Sequence, residues 1–328
     1  MKHFAANAMT IVIVVAFALI GAAYWAISQF SAPGPHTEST RVVLARGATL
    51  NSASTALVEA GVISNPSIFR IGARYRGMAE AIKFGEYEIP PSASMEEVLE
   101  IVVEGRSLQY PVTVAEGLTS WEVVEALNGD PLLSGTISEI PAEGSLAPDT
   151  YFVERGANRA DLIRRMQAAQ QQILDAAWAV RAPDLPVTTK DEVLVLASIV
   201  EKETGLAGER NEVAGVFVNR LRRGMRLQSD PTIIYGLTEG KGPLGRGIRR
   251  SEITKPTAWN TYVIDRLPIT PIANPGKAAI EAVLNPAETE ALYFVADGTG
   301  GHAFAKTLRE HERNVAKWRK IERDRASQ

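Results

Sequence analysis

The chain contains no cysteine. A disulfide framework, a zinc–thiolate site and a thiol nucleophile are therefore excluded. It also lacks a charge imbalance: a net charge of −3 over 328 residues leaves no electrostatic footprint for nucleic acid, and no nucleic-acid partner is expected. The glycines of the basic stretch 238–250 do not follow a strand in the spacing of a phosphate loop, so they carry no sign of nucleotide binding. That stretch suits a mobile loop. His302 and His311 are too scattered to suggest a metal site and read as structural; no metal or cofactor is expected. What is present is packing material. Hydrophobic residues make up 45% and charged residues 22% of the chain, enough for packed cores in two or three domains.

The N-terminus departs from this pattern. From Ala5 to Ile27 no residue is charged, and a helix of about 20 apolar residues crosses a bilayer. Lys2 lies on one side of the run, and on the other no Lys or Arg occurs before Arg41. This asymmetry places the first residues in the cytoplasm and the rest outside, with Tyr24 and Trp25 at the outer aromatic belt. A cleaved signal peptide is the alternative, but its apolar region is about 7–15 residues long and ends in a small-x-small site. This run is longer, and no strong site of that kind follows Trp25. The expectation is a cytoplasmic tail over residues 1–7, a transmembrane helix over 8–28, and a flexible Ser/Pro/Gly/Thr-rich linker over 29–40.

Beyond the linker the pattern is mixed. A strand at 41–45, a helix at 49–60 stopped by Gly61, a strand at 84–89 and a helix capped by Ser94, with Glu97 completing a capping box, make a small α/β module over 41–106. A strand at 108–115, a helix capped by Thr119, a surface loop over 128–150 and a helix over 162–180 form a connecting α/β region, 107–185. The remainder, 186–328, holds the candidate chemistry.

Thr189 opens the next helix, with Glu192 as capping-box partner. Val193 to Val200 is apolar on every side except Ser198, so this helix is buried. It ends in Glu201-Lys202-Glu203-Thr204-Gly205. At about 100° per residue Glu203 lies over Leu196, Ile199 and Val200. Glu201 points almost oppositely and reads as structural, paired with a nearby arginine. Burial of the Glu203 carboxyl disfavours its ionised form, and the negative end of the helix dipole acts in the same direction. A carboxyl kept protonated near neutral pH is what a general acid needs. The plain alternative is a solvated charge at a helix end.

A second helix follows over 209–223. Pro231 then keeps Asp230 out of helix geometry, which displays Gln228, Ser229 and Asp230 on irregular backbone; a turn or helix cap is the alternative for Asp230. Pro256-Thr-Ala-Trp-Asn-Thr-Tyr262 combines aromatic faces with amide and hydroxyl groups, as sugar sites do, although Trp259 and Tyr262 could equally be core. A hairpin at 292–304 with a Gly-rich turn and a charged helix at 307–325 close the chain.

These residues carry a family likeness. Leu196-Ala-Ser-Ile-Val-Glu-Lys-Glu-Thr204, Glu209-Arg-Asn-Glu-Val-Ala-Gly-Val-Phe-Val-Asn-Arg-Leu221 and Gly224-Met-Arg-Leu-Gln-Ser-Asp-Pro-Thr232 resemble the motifs of the YceG-like endolytic murein transglycosylases, the MltG family. So do Pro256–Tyr262, Ile272-Ala-Asn-Pro-Gly276, Tyr293-Phe-Val-Ala-Asp297, Gly85-Glu-Tyr87 and Pro148-Asp-Thr-Tyr151. The resemblance implies an α+β protein with an N-terminal transmembrane helix, a LysM-like glycan-binding subdomain at 41–106 and a catalytic domain whose buried helix carries the essential glutamate, Glu203. It implies a single-pass protein of the bacterial inner membrane, working outside the cytoplasm near peptidoglycan synthases. Such an enzyme cuts inside nascent peptidoglycan glycan strands and leaves 1,6-anhydro-N-acetylmuramic acid ends. Two stretches depart from the family: Leu267-Pro-Ile-Thr-Pro-Ile272 lacks a glycine common there, and the 240–250 loop is unusually rich in glycine and arginine. Gln228, Asp230, Asn260 and Tyr262 are the candidates for holding sugars. Two alternatives stay open. One is a hydrolase with Asp230 as base or nucleophile, since hydrolysis normally takes two carboxyls. The other is a non-enzymatic, membrane-anchored cell-wall scaffold.

Overall fold

An uninterrupted helix, α1 (Lys2–Ser31), opens the chain. Its side chains from Met9 to Ile27 face outward, Phe17 at 72% and Trp25 at 57% exposure. The segment Met9–Ser31 is long and apolar enough to cross a membrane. The computed structural model describes residues 2–326; the first residue of the expected tail and the last two of the expected catalytic domain lie outside them.

The expected linker at 29–40 is tied to the first unit at several points, although half of its residues are exposed. Phe30 is buried, Gly34 N donates to Ser92 O (3.0 Å) and Ser92 N to His36 O (2.8 Å), and His36 Nε2 donates to Pro90 O (2.7 Å). A Ser/Pro/Gly composition gives a free tether only where backbone groups have no protein partner, and here the turn after Pro90 supplies them.

The chain forms two units. One comprises Met1–Tyr110 with Phe152–Arg155, the other Pro111–Tyr151 with Gly156–Gln328. In the first, β1 (Thr40–Leu44) pairs antiparallel with β2 (Gly85–Ile89), Thr40 opposite Ile89. Between these strands run α2 (Leu50–Glu59) and α3 (Pro66–Tyr75), and α4 (Met95–Glu104) follows. Local chemistry sets these ends. Thr49 and Ser94 each close a reciprocal capping box, Asn65 caps α3 ahead of Pro66, and Gly105 ends α4 at φ +75°, where glycine is favoured. Leu57, Phe69, Tyr87 and Leu99 form the buried centre.

Along the rest of the chain come β3 (Tyr110–Thr113), α5 (Ser120–Gly129), β4 (Leu133–Ser134), β5 (Thr150–Val153), β6 (Ala157–Asn158), α6 (Arg159–Ala179) and α7 (Lys190–Glu203). After these come α8 (Arg210–Arg222), α9 (Asp230–Thr238), α10 (Arg250–Ile253), α11 (Lys277–Leu284), β7 (Tyr293–Ala296), β8 (His302–Ala305) and α12 (Leu308–Ala326). β7 and β8 form an antiparallel hairpin, Phe294 opposite Phe304. Helices α6, α7, α8 and α11 enclose the core of the second unit, with Leu196, Ile199, Phe217 and Ile280 buried in it. The expected surface loop at 128–150 is partly interior: Leu146 and Ala147 are buried, and Leu146 N donates to Asn274 Oδ1 (3.0 Å). The fold is mixed α+β.

Candidate active site

α7 buries nearly its whole length and delivers one carboxyl at its end. Thr189 caps it, its Oγ1 accepting from Glu192 N (3.2 Å), while the Glu192 carboxylate reaches one residue further back, to Thr188 N (2.6 Å). Val193 and the run Val195–Val200 are buried. Ser198, the polar exception, is fully engaged: its Oγ donates to Val195 O (2.7 Å) and accepts from Ile272 N (3.0 Å).

Glu203, the last residue of α7, is half-buried. Ser229 Oγ donates to its Oε1 at 2.5 Å. Burial is the main cause that holds the Glu203 carboxyl above the ordinary range; the Ser229 hydrogen bond opposes it, the Asp230 charge adds to it, and His302 and Arg220 oppose it. Two other carboxyls are raised by burial, Glu143 and Glu201. Each is committed to backbone: Glu143 accepts from Ser120 N (2.8 Å), and from Tyr235 Oη (3.1 Å), and Glu201 accepts from Gly276 N (2.9 Å). Glu201 was expected to pair with an arginine; Arg210 acts on it only as a charge, after Gly276 and Glu116. Glu203 alone of the three touches no backbone donor.

Ser229 is itself held. It is 1% exposed; its N donates to Thr261 Oγ1 (2.9 Å), and its carbonyl accepts from Thr232 Oγ1 (2.6 Å). The two threonine hydroxyls meet at 2.9 Å. A buried and closed hydroxyl network of this kind fixes one geometry.

Contrary to the expectation, Pro231 does not keep Asp230 out of a helix. Asp230 begins α9, Ser229 is its N-cap, and Pro231 sits in the first turn, where a missing N–H costs nothing. The irregular backbone lies earlier, at Gln228, whose φ of +52° is left-handed and strained for a side-chain-bearing residue. Gln228 is exposed, and its N donates to Thr261 O (3.2 Å).

The other sequence candidates separate. Tyr262 Oη donates to Asp230 Oδ1 (2.7 Å), and burial, then this bond, push the phenol upward. Asn260 is 1% exposed. Its Nδ2 donates to the carbonyls of Glu252, Ile253 and Lys255 (3.3, 3.0 and 2.8 Å), and its Oδ1 accepts from Tyr262 N (3.0 Å). The amide thus folds the 252–262 segment and has little capacity left for a ligand. Trp259 is tied to Thr270 Oγ1 by its ring N–H (2.8 Å) and packs on Tyr235.

Two further groups act on Glu203 that the sequence did not mark as part of the site. Arg220, buried in α8, donates to the carbonyls of Leu292 (2.7 Å), Arg226 (3.2 Å) and Leu227 (2.7 Å) and lies over the Tyr293 ring. His302 was read as structural. Its Nδ1 is 2.8 Å from Glu209 Oε2, and its charge acts on Glu203. Among the described residues no group of three or more His, Asp or Glu side chains could hold a metal ion.

Gln228, Ser229 and Asp230 on one short segment, Glu203 at a helix end and Tyr262 on a third segment are therefore one cluster, and all lie inside residues 42–317, which match the YceG-like family. The chain belongs to the YceG-like family. It is similar to an endolytic murein transglycosylase of Streptococcus pneumoniae, found in strains D39 and R6, at 30% identity over 326 residues, covering 84% of this chain and 57% of the relative. An endolytic murein transglycosylase of Bacillus subtilis strain 168 is 26% identical over 304 residues, covering 83% of this chain and 82% of the relative. This member of the YceG-like family thus spans little more than half the length of its Streptococcus relatives. A crystal structure of a yceG-like protein from Listeria monocytogenes aligns at 26% identity and a TM-score of 0.49, over 84% of this chain and 99% of that one.

Proposed function

We propose that this chain is an endolytic murein transglycosylase, anchored by α1 in a bacterial inner membrane with both folded units outside the cytoplasm. The carrying observation is Glu203: a carboxyl raised by burial, with Ser229 Oγ donating to Oε1, which leaves Oε2 as the oxygen to carry the proton. The activity of the Streptococcus and Bacillus relatives supports the reading.

One carboxyl suffices for this reaction. Because Oε1 accepts from Ser229, the proton of neutral Glu203 resides on Oε2. Glu203 gives it to the oxygen between N-acetylmuramic acid C1 and N-acetylglucosamine C4, and the C1–O bond breaks as that oxygen leaves as a hydroxyl. Positive charge gathers at C1 and the ring oxygen. The resulting Glu203 carboxylate takes the proton of the muramic C6 hydroxyl, and O6 closes on C1 to give the 1,6-anhydro end. No water is consumed, and Glu203 returns to its protonated form. Ser229 stabilises the carboxylate stage, and the Asp230 anion, held by Tyr262, favours the cationic transition state. Gln228, exposed beside Ser229, holds a sugar in this reading.

The first unit, whose β1–α2–α3–β2 order resembles a LysM module, holds glycan in this reading. Its cavity of about 380 Å³, lined by Thr49, Asn51, Arg74 and Glu80, offers polar groups for sugar hydroxyls. Residues 41–106 are this subdomain, 107–185 connect it, and 186–328 carry the chemistry. Substrate strands would come from neighbouring peptidoglycan synthases, and cutting them would terminate elongation.

Asp230 supports a second reading. A second carboxylate close enough to act on Glu203 could serve a hydrolase as base or nucleophile. Purified uncrosslinked glycan strands, digested by the full chain in detergent and read by mass, distinguish the two. The transglycosylase gives internal fragments with anhydro ends. Fragments heavier by one water would establish the hydrolase, and intact strands would leave a scaffold.

A further inference from the structure

We propose that α3 docks on the surface of the same bilayer that holds α1, with Ile71 and Tyr75 immersed at headgroup level. The inference rests on reading α1 as a membrane anchor. Four observations in the first unit lead to it.

The first is attachment. Phe30, in the last turn of α1, is buried against α3 at Gly72, where an added Cβ would overlap the Phe30 ring. Glycine here lets the anchor helix seat on α3, and the two helices keep a fixed relation. The second is depth. Tyr24 and Trp25 stand five to six residues before Phe30; at 1.5 Å per residue along α1, the contact of Phe30 with Gly72 lies roughly 8 Å beyond the aromatic belt of the span. That is the layer in which interfacial helices lie, with apolar side chains buried about 5–10 Å.

The third is the exposed face. α3 buries Ile68, Phe69 and Ala73 and displays Ile71 at 59% and Tyr75 at 91% exposure. These two are four residues apart and share one side of the helix. Outside α1, the large hydrophobics exposed among the described residues of this unit are Val43, Ile71, Tyr75 and Phe152. Two of these four therefore stand together where the anchor emerges. A single exposed apolar residue needs no explanation, but an aliphatic and an aromatic paired at the membrane exit do, and tyrosine is a preferred interfacial side chain. The fourth is charge. α3 carries Arg70 and Arg74, the latter also lining the cavity beside Thr49, and no acidic residue, which suits a helix beside lipid phosphates. The occupant is lipid because headgroups already fill this layer; another partner would have to displace them.

The absence of cysteine makes the test direct. Full-length chains with Ile71→Cys or Tyr75→Cys are labelled with a nitroxide and reconstituted in phosphatidylcholine–phosphatidylglycerol vesicles. Phe17→Cys in α1 and Glu59→Cys on the exposed side of α2 serve as references. Collision of the label with dissolved oxygen and with a water-soluble nickel chelate is then measured. The expected result is nickel access at 71 and 75 at least several-fold below that at 59, with oxygen access raised toward that at 17. Labels at 71 and 75 that match 59, while 17 reports lipid, would overturn the docking and leave the anchor standing. Shielding of 71 and 75 from both reagents would overturn it in favour of a protein contact. A water-exposed label at 17 would remove the anchor and the docking with it.

Discussion

At the residue scale the account turns on how Glu203 holds its proton. In the proposed mechanism the acid step needs neutral Glu203, so activity should be lost as pH rises through its folded pKa. Ser229 favours the carboxylate. Ser229→Ala therefore raises that pKa further, and the alkaline limb of kcat moves to higher pH. Asp230 disfavours the carboxylate, so Asp230→Asn moves the same limb to lower pH. Shifts in the same direction in both variants would contradict the assignment. Stability follows the same linkage. A carboxyl raised in the fold holds more protons than in the unfolded chain, so it costs stability as pH climbs from the unfolded carboxylate range through the folded pKa. Glu203→Gln removes that cost, and its Tm at pH 7–8 should exceed that of the wild type; a lower Tm would show that Glu203 stabilises the fold. The burial of this carboxyl was legible in the sequence, because helical spacing alone puts Glu203 above Leu196 and Val200. Its partner was not, since Ser229 stands 26 residues away and nothing local marks the pair.

At the scale of elements, the capped helices were the most legible features. Ser94, Thr119 and Thr189 all cap where expected, because an N-cap is decided within four residues. The start of α9 was misjudged because two local rules compete at Pro231: it restricts the residue before it, yet suits a first turn. Asn260 and Tyr262 looked equivalent in sequence and are not. Asn260→Ala leaves three backbone carbonyls without their donor, at about 1–3 kcal/mol for a buried group so exposed, and should lower Tm clearly. Tyr262→Phe frees Asp230 and should leave Tm within a degree or two while lowering kcat roughly tenfold, the order of a lost transition-state contact. Calorimetry and initial rates on both variants check this; an Asn260→Ala chain with native Tm and a raised KM would return the amide to the substrate.

At the scale of the whole molecule, the resemblance read from motifs was sufficient to identify the family, since those motifs span nearly the same residues as the match. Composition gave no sign that Phe30 and His36, within 29–40, are buried. A chain beginning at residue 29 should therefore fold its first unit as the full chain does. One beginning at residue 41 lacks Phe30 and His36 and should lose about 3–5 kcal/mol, the usual cost of deleting a buried aromatic. Equal urea midpoints for the two would show that the segment adds nothing. Tertiary ties such as Leu146 to Asn274, 128 residues apart, explain why an apparent surface loop is partly core; composition carries no trace of them.

The most direct test of the central claim is the rate of strand scission by Glu203→Gln against the wild type. Both would be full-length, shown to be folded, and supplied with the same uncrosslinked glycan. The account predicts a loss of at least 10²-fold, within the range for a general acid–base group, with anhydro-ended products falling in proportion. Equal scission by a folded Glu203→Gln chain would contradict it and place the catalytic group elsewhere.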